Sequence, residues 1–167
     1  AVGVSGVDGG LLRAEREGED LGLVGRITLV DSSLLEELVD AGRVPVVAPA
    51  ALESGDAGEL LNVNADSVAG AIAAAGGARL LAFVTDVPGV RGRDGKVIPV
   101  LDRERAHALV QDGTIEGGML PKIEACLLAA SAGCRAAVVA SGGDGLERLL
   151  AGEAAGTVVE PATGERP

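Results

Sequence analysis

Lys122 stands directly after Gly117-Gly118-Met119-Leu120-Pro121, and with Lys96 it is one of only two lysines among the 14 Lys and Arg of the chain. Pro121 suits the first position of a helix, where a missing N–H costs nothing. A lysine in that first turn faces the positive end of the helix dipole, an unfavourable place unless an anion joins it. Glycine-rich backbone running into a helix is also a means of cradling phosphate through N–H groups. Binding and charge stabilisation of a phosphoryl group is the chemistry these residues could perform. The alternative is a surface lysine paired with Glu116 or Glu124.

Asn62, Asn64 and Asp66 form a second group at a predicted strand-to-helix junction. Their side chains could all face the C-terminal edge of a sheet, where α/β folds place ligands. The two amides could read a carboxylate or an amide, and Asp66 could orient a lysine or a metal. Helix capping by Asn64, with Asp66 favourable in the first turn, accounts for the same residues without a ligand. A calcium loop is excluded, because Ser67 stands where glycine is needed and Ala73 where the closing glutamate is needed. Thr85-Asp86-Val87-Pro88-Gly89 follows another predicted strand and is expected at the same edge, to contact a nucleotide or to begin a hairpin. Neither GxxxxGK[ST] nor a GxGxxG after a strand occurs. His107, the only histidine, reads as a helix-face residue among Arg103, Glu104 and Leu109, and no Ser/His pairing supports a triad hydrolase. Cys126 and Cys134 form no CxxC pair and read as two buried thiols of a reduced compartment, not as a zinc site or a disulfide.

The elements that must position these residues follow from patterning. An apolar run at residues 2–4 leads into the glycine-rich stretch 6–10. Strands are predicted at 11–15 and 23–30, joined through the polar residues 16–20. Ser33 is expected to start a helix, with Glu36 closing a capping box, Leu34, Leu35, Leu38 and Val39 as its apolar face, and Gly42 as its stop. Residues 44–48 read as a buried strand and 49–59 as loop. A helix over 68–75 ends at Gly76-Gly77, 80–84 is another buried strand, and Asp94-Gly95 signals a hairpin between Val90 and Val97. Asp102 is expected to cap a helix through Val110, and Pro121 to open one running to about Ala132. Then come a strand at 136–140, a glycine loop at 141–145, a short helix at 146–150, a last strand at 157–159 and a frayed tail at 164–167. Alternation of helices with largely apolar strands predicts an α/β fold, a mainly parallel sheet with helices on both faces. With no repeat and no linker, one domain is expected over residues 1–163.

Composition narrows the function classes. Against 14 Lys and Arg stand 25 Asp and Glu, a net charge of −11 that repels nucleic-acid phosphates and anionic lipid. One Phe and no Tyr or Trp leave no stacking platform for single-stranded bases. Neither nucleic acid nor membrane is an expected partner. Arg79, Asp86 and Arg135 interrupt every apolar run before it reaches a membrane-spanning length of about 18 residues. The start, Ala1-Val2-Gly3-Val4-Ser5-Gly6, lacks an initiator Met and a charged n-region, so it reads as the middle of something longer and not as a signal peptide. A cytoplasmic location is expected. A hydrophobic content of 47% with 26 glycines predicts a core of small and branched aliphatics threaded by tight turns.

In order, six stretches resemble the amino-acid kinase superfamily, and within it the acetylglutamate kinases. They are Ala1-Val2-Gly3-Val4-Ser5-Gly6-Val7-Asp8-Gly9-Gly10, Asp20-Leu21-Gly22-Leu23-Val24-Gly25, Gly42-Arg43-Val44-Pro45-Val46-Val47, Asn62-Val63-Asn64-Ala65-Asp66, Thr85-Asp86-Val87-Pro88-Gly89-Val90 and Gly117-Gly118-Met119-Leu120-Pro121-Lys122. The resemblance implies an amino-acid kinase (carbamate kinase-like) fold, present in part. It implies phosphoryl transfer from ATP, with Mg2+ carried by the nucleotide, to the γ-carboxylate of N-acetyl-L-glutamate in arginine biosynthesis. Asn62, Asn64 and Ala65 are implied to bind this substrate, Asp66 to organise the catalytic lysines, and Lys122 to stabilise the transferring phosphoryl group. Thr85, Asp86, Val87, Pro88, Gly89, Val90 and Arg91, with Thr114, Ile115, Glu116, Gly118 and Met119, are implied to line the nucleotide. A homo-oligomer is implied for the full-length protein. A kinase of carrier-bound aminoadipate and a non-catalytic nucleotide-binding module are the alternatives, and the Asn-Val-Asn-Ala-Asp wording favours acetylglutamate.

The family's lysine-bearing first strand with its Gly-Gly loop, its His-Gly-Gly-Gly-type loop and its substrate-binding arginine have no counterpart in this chain. Ser141-Gly142-Gly143-Asp144 also stands where the family shows Asp-Gly-Arg. The chain is therefore read as the C-terminal, ATP-binding portion, the N-terminal third being missing, with an open sheet edge and an apolar patch that promote self-association. With half of the phosphate clamp absent, these residues alone are expected to show little or no turnover in a coupled kinase assay. Normal turnover would overturn that expectation.

Overall fold

The computed structural model describes residues 1–18, 20–55, 58–140 and 142–160. Where the sequence reads as one domain, contacts gather into two compact units, Ala1–Gly76 and Gly77–Pro167. Ser141 of the expected glycine loop and the expected tail at 164–167 lie outside the described residues.

The first unit runs β1 (Val2–Ser5), a 3-10 turn (Asp8–Gly10), β2 (Leu12–Arg16), β3 (Val24–Val30), α1 (Ser33–Asp40), β4 (Pro45–Ala48), β5 (Ala50–Glu53), β6 (Leu60–Val63) and α2 (Ala65–Ala75). β1 and β4 form a two-stranded parallel sheet, while β2, β3, β6 and β5 close a circuit. In that circuit β2–β3 and β5–β6 are antiparallel, and β3–β6 and β2–β5 parallel. Gly25 lets it close: a Cβ there would stand 2.9 Å from the Leu61 Cβ and 3.1 Å from the Ala14 Cβ. Leu11, Leu12, Ala14, Leu61, Val63 and Val68 belong to one buried cluster.

Several expectations are corrected in this unit. The expected loop at 49–59 contains β5, four residues of modest strand propensity that pair on both sides, with β2 and β6. Tertiary pairing overrides local preference there. Of residues 44–48, expected to be a buried strand, Pro45–Ala48 form β4, which pairs with β1 alone; Val46 is 59% exposed, as is Val44 just before it at 65%. A single neighbour covers neither the second edge nor the outer face. Helix α1 has Ser32 as its N-cap, its hydroxyl donating to Glu36 at 2.5 Å, while Asp31 accepts from the Ser33 N–H at 3.1 Å. The cap thus lies one residue before the expected Ser33. Val39, expected on the apolar face, is exposed, and Leu35 is the residue of this helix that is buried.

The second unit runs β7 (Leu80–Thr85), β8 (Val100–Leu101), α3 (Arg103–Gln111), α4 (Met119–Ser131), β9 (Arg135–Ala140), α5 (Gly145–Leu150) and β10 (Thr157–Val159). Its sheet has the order β7-β9-β10-β8. β7–β9 and β8–β10 are parallel and β9–β10 antiparallel. Strand alternation sorts the faces: Ala137, Val139, Leu80 and Ala82 pack with Leu149 of α5, which turns Leu81 and Phe83 to the other side, where Lys122 of α4 lies over Phe83. Helix α4 buries the small side chains Ala125, Cys126, Ala129 and Ala130 together with the larger Ile123 and Leu127, a mix of small and branched groups that packs densely without aromatic filler. The α/β class and the helices on both faces of a partly parallel sheet are as expected, and the parallel pairings are distributed over three sheets. Asp102 caps α3 as expected, accepting from the Arg105 N–H at 2.8 Å. The expected hairpin at 90–97 is a turn with one bridge, Arg91 to Val97, and a Gly92 N–H to Lys96 C=O bond of 2.9 Å. Two-residue β8 is too short to leave a pattern. Among the described residues no helix is long and apolar enough to cross a membrane.

Replacing Gly25 with alanine is expected to destabilise the first unit by roughly 1–3 kcal/mol, the usual cost of overpacking. Urea unfolding checks this; an unchanged midpoint would show that the strand circuit does not need the close approach.

Candidate functional site

In β6 the side chains of Leu61 and Val63 are buried and Asn62 is exposed, so alternation sends its amide outward. Asn64 caps α2, its Oδ1 accepting from the Asp66 N–H at 2.9 Å and the Ser67 N–H at 3.1 Å. Capping therefore engages the Asn64 carbonyl oxygen and leaves the amide nitrogen as the part that could meet a ligand. Ala65 is exposed, and half-buried Asp66 follows in the first turn, where the dipole favours a carboxylate. This junction offers outward amide donors beside a fixed negative charge.

Lys122 is the fourth residue of α4, whose N-cap is Gly118, so Pro121 occupies the third helical position instead of the expected first. The preceding turn explains it: the Met119 N–H bonds to Glu116 C=O and the Leu120 N–H to Gly117 C=O, both at 3.2 Å, winding the helix two residues earlier. Pro121 still removes no intrahelical bond, since N–H groups of the first turn have no carbonyl behind them. The same two bonds modify the phosphate-cradle expectation. The amides of Met119 and Leu120 point at the chain's own carbonyls and so form no open ring of N–H groups. The Nζ of half-buried Lys122 lies 5.7 Å from the centroid of the Phe83 ring, within cation–π range. Phe83 is the chain's sole aromatic residue, buried on β7 two residues before Thr85.

Beyond β7, the Thr85 hydroxyl donates to Asp86 at 3.0 Å. Asp86, Pro88 and Arg91 are exposed and Val87 half-buried, whereas Gly89 and Val90 are buried. Arg91 reaches the Gly95 carbonyl at 3.4 Å. Between α3 and α4, Asp112 accepts from the Thr114 N–H at 3.0 Å and from its hydroxyl at 2.5 Å. That hydroxyl bond holds the Asp112 carboxyl below the ordinary carboxylate range, and Arg93, 3.1 Å away, adds to the effect. Ile115, 3% exposed, is a core residue whose N–H bonds to Leu109 C=O at 2.9 Å. Glu116 and Gly118 are exposed and Met119 half-buried.

The first unit thus brings together Asn62, Asn64, Ala65 and Asp66, and the second brings Lys122 to the strand that feeds the 85–91 turn. Val90 and Ile115 serve the core, so their side chains do not line a surface. Phe83 is the residue the sequence reading missed, although a lone aromatic in the strand before the turn was a usable signal. Cys126 and Cys134 are both buried, and burial pushes the Cys134 thiol up. His107 is exposed on α3. Among the described residues no group of three or more His, Cys, Asp or Glu could hold a metal ion.

Residues 1–141 match the model of the amino acid kinase family. The chain is 49% identical over 143 residues to an acetylglutamate kinase of Geobacillus kaustophilus, an alignment covering 85% of this chain and 54% of that protein. It is 47% identical to an acetylglutamate kinase of Methanopyrus kandleri, over 95% of this chain and 65% of the relative. The chain thus spans between about half and two thirds of the length of these curated relatives. In fold it is similar to a Giardia lamblia carbamate kinase bound to AMP-PNP, with a TM-score of 0.67 at 19% identity over 83% of this chain and 47% of that one.

Because Asn64 holds two backbone N–H groups, Asn64→Ala is expected to lower stability by about 1 kcal/mol. Outward-facing Asn62→Ala is expected to leave stability unchanged. Paired urea titrations decide between cap and ligand roles, and equal losses for both variants would contradict the assignment.

Proposed function

The chain belongs to the amino acid kinase family, and from that premise we propose that it is the ATP-binding portion of an acetylglutamate kinase, an enzyme transferring the γ-phosphoryl group of ATP to the γ-carboxylate of N-acetyl-L-glutamate. The observation that carries the proposal is the Lys122 ammonium seated over Phe83 on the strand that leads into the 85–91 turn. The 49% identity to an acetylglutamate kinase favours this acceptor.

A carboxylate oxygen of the substrate attacks the γ-phosphorus in line with the β,γ-bridging oxygen. The new P–O bond forms as the bond to ADP breaks, leaving N-acetyl-L-glutamyl 5-phosphate and ADP. Such a transition state spreads charge over the non-bridging oxygens and asks mainly for positioning and electrostatic stabilisation. Lys122 supplies a positive charge that partial burial keeps from being fully screened. To Asn62, Asn64 and the Ala65 backbone we assign the substrate, and to Asp66 the orientation of ammonium groups about the phosphates. To the 85–91 turn and to Thr114, Ile115, Glu116, Gly118 and Met119 we assign the nucleotide, with the side chains of Val90 and Ile115 supporting it from the core. Mg2+ arrives with ATP and neutralises phosphate charge. We assign the reaction to arginine biosynthesis in the cytoplasm, and the full-length protein to a homo-oligomer.

Calorimetric titration with MgATP is expected to give one binding site on this chain. Lys122→Met keeps an apolar stem over Phe83 while removing the charge, and is expected to weaken binding about tenfold, or about 1.4 kcal/mol. No binding by the unaltered chain, or equal binding by the variant, would sink the assignment.

A further inference from the structure

Thr157 is the buried polar side chain of the described residues, with none of its surface exposed. A buried hydroxyl must place both its proton and a lone pair. Thr157 Oγ1 accepts from the Val90 N–H at 2.8 Å and donates to the Ile98 carbonyl at 2.7 Å. Val90 and Ile98 are themselves joined, Ile98 N–H to Val90 C=O at 2.8 Å. The first residue of β10 therefore clasps the base of the 91–97 excursion and the end of the 85–91 turn together.

The surrounding packing fixes that clasp against backbone. A Cβ on Gly89, whose φ is 147°, would stand 2.7 Å from Thr157 Oγ1 and 3.1 Å from Thr157 N. A Cβ on Gly156, at φ 61°, would stand 2.1 Å from Val138 O and 3.1 Å from Pro88 O. Pro88-Gly89-Val90 thus lies directly on Gly156-Thr157. Valine has the same shape as threonine, so volume alone does not require a hydroxyl here. What the hydroxyl adds is direction: it fixes the Val90 N–H, and with it the course of the exposed residues Asp86, Pro88 and Arg91.

We propose that Thr157 is the positioning residue of the nucleotide turn, its hydroxyl holding residues 86–91 in the shape that receives ATP; this rests on the nucleotide-site reading above. The test measures MgATP affinity by calorimetry in Thr157→Val, which removes both hydrogen bonds at constant shape, and in Thr157→Ser, which retains them. The valine variant is expected to bind about tenfold more weakly and the serine variant within about twofold of the unaltered chain. Leu149→Ala, in the α5 cluster away from the turn, serves as a control that lowers the unfolding midpoint and leaves affinity unchanged. Equal affinity for the valine variant and the unaltered chain, or equal losses for valine and serine, overturns the proposal. So does a loss of affinity in the Leu149 control that matches the valine variant's. Should the valine variant not fold, Thr157→Ala removes the same hydroxyl with no added methyl against Gly89 and carries the same outcomes. If the unaltered chain binds no MgATP, the nucleotide reading fails. Exchange of the Val90 amide then still decides whether the hydroxyl holds the turn: faster in valine than in serine supports the clasp, and equal rates refute it.

Discussion

An ammonium group in the opening turns of a helix is electrostatically misplaced, and the second unit keeps one there. The dipole penalty for a cation near a helix N-terminus is about 0.3–1 kcal/mol. A cation over an aromatic face gains about 0.5–1 kcal/mol when exposed and more when desolvated. The two terms are of one size, so the Phe83 ring offsets much of what the helix costs Lys122. The chain's single aromatic side chain is thus in contact with the one lysine to which chemistry is assigned.

The rest of the architecture follows from building a core almost without aromatics. Small side chains fill space only if backbones come close, and the chain does this repeatedly. Gly25 admits Leu61 and Ala14 to the strand circuit, and Gly156 admits the Val138 carbonyl. Ala125, Ala129 and Ala130 do the same for α4. Close approach makes each crossing intolerant of added volume, and it also lets a turn rest directly on a strand, as Pro88-Gly89-Val90 does on Gly156-Thr157. Some of the residues assigned to ligands are neighbours of buried ones: Asn62 lies between Leu61 and Val63, and Thr114 precedes Ile115.

Net charge and site charge act at different ranges. A total of −11 repels anions at long distance, yet within about a Debye length of 8–10 Å, local groups dominate. In the second unit, the half-buried ammonium of Lys122 and the exposed Arg91 side chain are such local groups.

Local features were legible in the sequence because their causes are local. The Asn64 and Asp102 caps, the glycine stop after α1, the apolar runs of β7 and β9 and the α/β alternation each depend on a few adjacent residues. So did the order of motifs that resembled the amino-acid kinases. Tertiary structure alone decided β5, whose Ala-Ala-Leu-Glu becomes a strand only by pairing on both sides, and the exposure of β4, which has one neighbour. It also decided the start of α4, set two residues early by turn bonds that no propensity encodes, and the partners of Thr157, which lie 67 and 59 positions away in the chain. Helix caps and apolar periodicity are written in nearest neighbours, whereas pairing, burial and the satisfaction of a buried hydroxyl depend on which distant backbone arrives alongside.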